Sequence, residues 1–259
     1  MEQLQSRVGT RDLTKAEVQK EVSTVFLAKV FNWMAAGLGI TGVVALFTVY
    51  SGLAQNIAAS PLYWILLFGE IGLVFYLAAR IQSLQPSTAT WLFIAYSIMN
   101  GVTLSVLFLM YSGASIASTF LITAGMFGAM AVYGLVTKRD LSGMGSFMFM
   151  GLIGVLLASV VNIFLQSSSL YWAVSVIGVF VFVGLTAYDV QKIKQIGEQG
   201  IMEQGDAAIH RSAIMGALAL YLDFINLLIW LTVSMEIYCP LILSFCSQER
   251  GRFYDGRSC

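Results

Sequence analysis

Two aspartates stand inside long apolar runs: Asp189 in VGLTAYDVQKIK and Asp223 in ALALYLDFINLL. Two further ionisable groups, Glu70 and Arg80, share another apolar run. A charged side chain at the centre of a bilayer costs roughly 2.5–3.5 kcal/mol by insertion measurements, so such residues are usually kept for a task. Two carboxyls in contact cannot both ionise cheaply; they share one proton and titrate as a unit. Such a pair would respond to pH near neutrality with no histidine involved. Losing the shared proton sets two like charges against each other on neighbouring helices, which can open a path. Carboxylates lining a path suit a cation, and hard oxygen ligands suit calcium in particular. On this reading Asp189 and Asp223 sense pH, gate the path and touch calcium in passing.

Each residue also has a plainer reading. Asp189 could be solvated beside Lys192, and Asp223 could be a structural hydrogen-bond acceptor between helices. Arg80 is either a snorkelling cation or a partner for Asp189. Glu70 and Arg80 are about 15 Å apart along a helix, too far to pair directly. Depth also matters. Counted from residue 212, Asp223 lies about 16 Å into its span, whereas Asp189 is within a turn of the end of its own. Contact requires the sixth span to continue inward, or the seventh to start later or tilt.

These residues belong to an all-α integral membrane protein. Of 259 residues 58% are hydrophobic and only 11% charged, with mean hydropathy +0.80; a soluble domain carries about 25% charged residues. Seven segments reach the length a span needs: 24–50, 61–81, 89–111, 114–137, 144–165, 170–190 and 212–235. Residues 1–23 read as a polar cytoplasmic segment without a signal peptide's apolar core, 24–235 as the transmembrane domain, and 236–259 as an atypical tail. Lys and Arg alternate without exception between the loops: present in the lead-in, absent after span one, Arg80 at the end of span two, absent after span three, Lys138 and Arg139 after span four, absent after span five, and Lys192, Lys194 and Arg211 after span six. That pattern predicts a multi-pass protein of the cytoplasmic membrane with its N-terminus inside. The connection from span six to span seven is expected to be long, with His210 in it.

Other chemistry fits poorly. The net charge is zero and the pI about 6.6, so no basic footprint for nucleic acid exists. One histidine excludes a multi-histidine metal site and a serine–histidine protease. Cys239, Cys246 and Cys259 crowd the last 21 residues and suggest neither a disulfide framework nor a metal cluster. GLGITG at 37–42 has the letters of a dinucleotide fingerprint but no preceding strand. Small residues at Ala35, Ala36, Gly37, Gly39, Gly125, Gly128, Ala129, Gly151, Gly154, Ala158, Gly216 and Ala217 predict close helix packing. No enzymatic reading and no tightly bound cofactor emerge.

The stretches FLAKVFNWMAAGLGIT, ASIASTFLITAGMFGAMAVYGLVTKRDLSGMG, VFVGLTAYDVQKIK and GALALYLDFINL resemble the Bax inhibitor-1-like family, the transmembrane Bax inhibitor motif proteins, in their bacterial form. The resemblance covers about 24 to 226. It implies a seven-helix fold with the last helix central and six others around it, and a pH-sensitive calcium leak. It places a di-aspartyl sensor on Asp189 and Asp223, a latching arginine on Arg80 and an acidic residue of the ion path on Glu70. The tail departs from the family, with Glu236 and Pro240 interrupting the apolar run. The partners implied are the bilayer, calcium and protons. A second class of reading is a stress or quality-control regulator that binds another membrane protein through small-residue faces.

Overall fold

The computed structural model describes residues 15–198 and 205–253, with side chains over 23–198 and 205–234. The start of the polar lead-in, the centre of the connection after span six and the last six residues lie outside the described residues, as do the side chains of all three cysteines. The helices are α1 (Lys15–Tyr50), α2 (Leu53–Ala58), α3 (Leu62–Arg80), α4 (Pro86–Leu104), α5 (Leu107–Met110), α6 (Gly113–Val136), α7 (Ser142–Leu165), α8 (Ser168–Glu198) and α9 (Asp206–Phe253). Among the described residues there is no strand.

Local chemistry sets the boundaries. Gly52, at φ +74°, turns the chain from α1 into the short α2. Pro86 opens α4 after an extended Gln85, where its missing N–H has no partner to lose. Ser112 caps α6 by accepting from the Ser115 N–H. Gln166 ends α7 in the left-handed conformation. Seven stretches are long and apolar enough to cross a membrane: Ser23–Tyr50, Leu62–Arg80, Pro86–Met110, Gly113–Val136, Ser142–Leu165, Ser168–Glu198 and Asp206–Ser234. The expected spans are all present. The third includes a break at Ser105, after which α5 completes it.

The largest departure is at the sixth and seventh spans. α8 continues to Glu198 and α9 begins at Asp206, so the expected long connection is mostly helix. His210 is therefore a helical residue, not a loop residue. Its Nε2 lies 2.8 Å from Thr90 Oγ1, and its ring is edge-on to Trp33 at 5.9 Å. The extension also removes the depth conflict from the side of α8: Asp189 lies about 14 Å before that helix ends.

The last span is the axis of the bundle. Of its most apolar stretch 61% is buried, against 11% for the second span and 6% for the fifth. A helix apolar all round, such as ALALYLDFINLL, is suited to that place. α9 packs directly on α8, α1, α6 and α4. The other two spans attach at second hand: α3 packs chiefly on α4, and α7 chiefly on α8. So four helices, not six, surround α9 closely, and α3 and α7 face one another across a gap.

Lipid tails give helices no hydrophobic reason to associate, so close packing and hydrogen bonds carry the assembly. Tyr221 is fully buried on α9, with Phe93 and Tyr96 of α4 edge-on to its ring. Its hydroxyl lies 2.6 Å from Thr41 Oγ1 on α1, which in turn donates to the Ser97 carbonyl. Glycine contacts differ partly from expectation. Gly37, Gly151 and Gly216 do meet a neighbour closely, but a methyl group at Gly39, Gly125, Gly128 or Gly154 would find nothing within 4 Å. The tightest approaches include Gly134, where α6 touches the backbone of Ala187.

Candidate functional site

The carboxyls of Asp189 and Asp223 lie within hydrogen-bonding reach of each other. α8 carries one and α9 the other, and these helices pack along their length. Asp223 is 5% exposed and its Oδ2 has no hydrogen-bond partner; Asp189 is half-buried. An ionised carboxylate only accepts, so a carboxyl–carboxyl hydrogen bond requires a proton on one of the two. Lys192, one turn beyond Asp189, is exposed and stands 5.8 Å from the centre of the Tyr188 ring.

Two hollows meet at this pair. The larger, about 950 Å³, lies between α3, α7, α8 and α9, and its lining includes Glu70, Asn100, Asp189, Asp223 and Lys192. The smaller, about 220 Å³, lies toward the end where α8 finishes and α9 begins; Gln82, Asp189, Lys192, Arg211 and Ser212 line it. Asp189, Lys192 and Ala219 belong to both linings, whereas Asp223 faces only the larger. Asp189 therefore stands in the wall common to both spaces, next to Asp223.

Glu70 reaches the larger hollow from α3. It is 8% exposed. Its Oε1 accepts from Thr103 Oγ1 at 2.5 Å and its Oε2 from Asn100 Nδ2 at 3.4 Å. Asn100 Nδ2 also lies 3.3 Å from the Tyr96 hydroxyl. Tyr96, Asn100 and Thr103 therefore form a polar stripe on α4 that seats the glutamate. Sequence reasoning did not single out these three, although a polar stripe at helical spacing in an apolar span was a readable signal.

Arg80 is exposed, lines neither hollow and makes no ion pair among the described residues. It sits at the last turn of α3, a helix that packs chiefly on α4. The structure does not bring it to Asp189. The cation beside Asp189 is Lys192; Arg211 lines the smaller hollow, where its Nη1 donates to the Leu84 carbonyl at 3.2 Å. Arg211 was readable as an orientation charge, but its place in the wall of the smaller hollow depends on α9 starting early.

The surrounding connections are held firmly. Gln191 accepts from the Leu141 N–H at 2.8 Å and donates to the Arg139 carbonyl at 2.7 Å, fixing the turn between α6 and α7 against α8. Lys194 donates to the Leu135 carbonyl near the end of α6 at 2.8 Å and pairs with Glu198 at 3.8 Å. In the same turn Asp140 accepts from the N–H and hydroxyl of Ser142, which holds its carboxyl below the ordinary range. Among the described residues no cluster of three or more His, Cys, Asp or Glu could hold a metal ion.

Comparison with known proteins agrees with this architecture. The family described as "Inhibitor of apoptosis-promoting Bax1" (Bax1-I) matches residues 23–237. The inner membrane protein YbhL of Escherichia coli K12 is 49% identical over 208 residues, 80% of this chain and 88% of that protein. A Borreliella burgdorferi protein is 43% identical over 223 residues, covering 85% and 95%, and a Deinococcus radiodurans protein is 42% identical over 220 residues, covering 85% and 93%. With seven spans in place, a match running from the first to the last of them, and the aspartates adjacent on the two most buried helices, the chain belongs to the Bax inhibitor-1-like family of membrane proteins.

Proposed function

We propose that the protein is a pH-sensitive calcium leak of the inner membrane, with its N-terminus in the cytoplasm and its gate at Asp189 and Asp223. One observation carries the reading: two carboxyls on different helices lie within hydrogen-bonding reach where two cavities meet. While one proton is shared, α8 and α9 are tied and the cavities stay separate. When it leaves, two carboxylates repel in a place with little water, and the wall common to the cavities opens. Calcium then moves past the carboxylate oxygens and Glu70. Two aspartates offer fewer oxygens than the six to eight that calcium prefers, so the ion keeps water and is cargo, not a resident. Lys192 and Arg211 hold the charge balance at the smaller cavity.

The sign follows directly. Protons close the gate, so flux rises with pH. Purified protein in liposomes loaded with a calcium dye should leak faster at pH 8 than at pH 6. Asp189→Asn and Asp223→Asn should each flatten that dependence, because an amide cannot lose the proton. Variants that leak with the wild-type pH profile would end the sensor reading. A membrane-protein partner retained by both variants, with no flux from any form, would favour the regulator instead.

A further inference from the structure

Among the described residues two buried side-chain oxygens lack any hydrogen-bond partner, Asn100 Oδ1 and Asp223 Oδ2. Both residues line the larger cavity. Asn100 is 7% exposed and Asp223 5%. An acceptor buried without a donor costs about 1–3 kcal/mol, so two of them in one space call for a ligand that donates. The remaining charged groups of that lining are Glu70 and Asp189, with Lys192 the one cation. Three carboxyl groups against one ammonium favour a cationic donor.

The same cavity is apolar along its outer walls and opens sideways. Ile71 and Phe75 on α3, and Phe149 and Leu156 on α7, line it while remaining 53%, 71%, 57% and 55% exposed. These two helices make few contacts with each other, so the cavity opens between two apolar spans, with Ser142 and Lys192 at its polar end. Trp230 lies against Gly178, where an added methyl would come within 2.8 Å of the indole, and it forms part of the cavity wall. A volume of about 950 Å³ is at the upper end of what small-molecule sites enclose.

We propose that this cleft is a binding site for an amphiphile with a primary ammonium head and one apolar chain, entering sideways from the bilayer. The head meets Asp223, Asn100 and Glu70, and the chain lies between α3 and α7. A primary ammonium brings three donors and one positive charge, which answers both the orphaned acceptors and the acidic excess. A quaternary ammonium brings the charge without donors, and a fatty acid brings the wrong charge.

The test needs no flux and so is independent of the leak reading. Full-length protein in phosphatidylcholine nanodiscs is photolabelled with a dodecylamine carrying a mid-chain diazirine, and the labelled residues are mapped by mass spectrometry. Label should concentrate on Ile71, Phe75, Phe149 and Leu156. Unlabelled dodecylamine should compete at about tenfold lower concentration than dodecyltrimethylammonium, a difference of about 1.4 kcal/mol, and dodecanoate should not compete. Asn100→Leu should lower labelling at these positions about tenfold. Even label around all faces of α3 and α7, or equal competition by the three amphiphiles on the wild-type chain, would overturn the site. So would unchanged labelling of a monodisperse Asn100→Leu protein.

Discussion

A carboxylic acid that hydrogen-bonds to another must carry a proton or meet one, and that constraint organises the residues around Asp223. Its second oxygen is buried and unpartnered, so the residue depends on Asp189 for hydrogen bonding. Asp223→Ala and Asp223→Asn should therefore separate. The amide keeps a hydrogen bond to Asp189 and should stay folded with a flat pH response; the alanine leaves Asp189 unpartnered beside a void and should also lower the melting temperature. Glu70→Gln, which can keep the Thr103 contact through its amide oxygen but turns an N–H toward the Asn100 donor and removes the charge, should lower calcium flux and leave the pH dependence in place. Asp140 offers a control outside the spans. Its carboxyl is held below the ordinary range by Ser142, so its stabilising effect is present above the unfolded-state value and is lost as pH falls through the folded one. The stability gap between wild type and Asp140→Asn should be open at neutral pH and close in strong acid.

The helices meet where side chains are smallest. At Gly134 a Cβ would fall 2.5 Å from the Ala187 carbonyl oxygen, two residues before Asp189. Backbone cannot step aside as a flexible side chain does, so Gly134→Ala should cost about 1–3 kcal/mol through overpacking. Gly128→Ala, on the same helix but with nothing within 4 Å, should leave the melting temperature unchanged. Gln191 ties the turn between α6 and α7 to α8 with two hydrogen bonds and is 6% exposed. Gln191→Leu leaves a buried N–H and a carbonyl unpaired and should destabilise by a few kcal/mol, at about 1–3 for each group, with loosened protection of the 139–141 backbone in hydrogen exchange.

The whole bundle has a centre and two outriggers. α9 is enclosed by four helices, while α3 and α7 hang on α4 and α8. Orientation belongs to the molecule as a whole. On the proposed orientation, which rests on the alternation of basic and uncharged loops, the Lys138–Asp140 turn lies in the cytoplasm and the Ser112–Gly113 turn outside. Reporter fusions at these two turns should read opposite sides of the membrane, and the same side for both would invalidate the proposed direction of proton sensing.

Seven spans, their order and the two acidic positions could be read from the chain, because membrane crossing depends on length and apolarity along the sequence, and an acid in such a run stands out without any fold. The aspartates were legible as residues; their contact was not. It depends on α8 running on to Glu198 and on the packing of α8 against α9, which polar letters such as Gln191, Lys194 and Glu198 conceal. The same limit explains Arg80, whose charge was plain but whose side chain is exposed and lines neither hollow, and Arg211, whose place in the smaller hollow appears only once α9 starts at Asp206. Hydropathy is a property of one segment at a time. Which faces of which segments touch is fixed by close packing between residues far apart in the chain, and only the folded molecule holds that information.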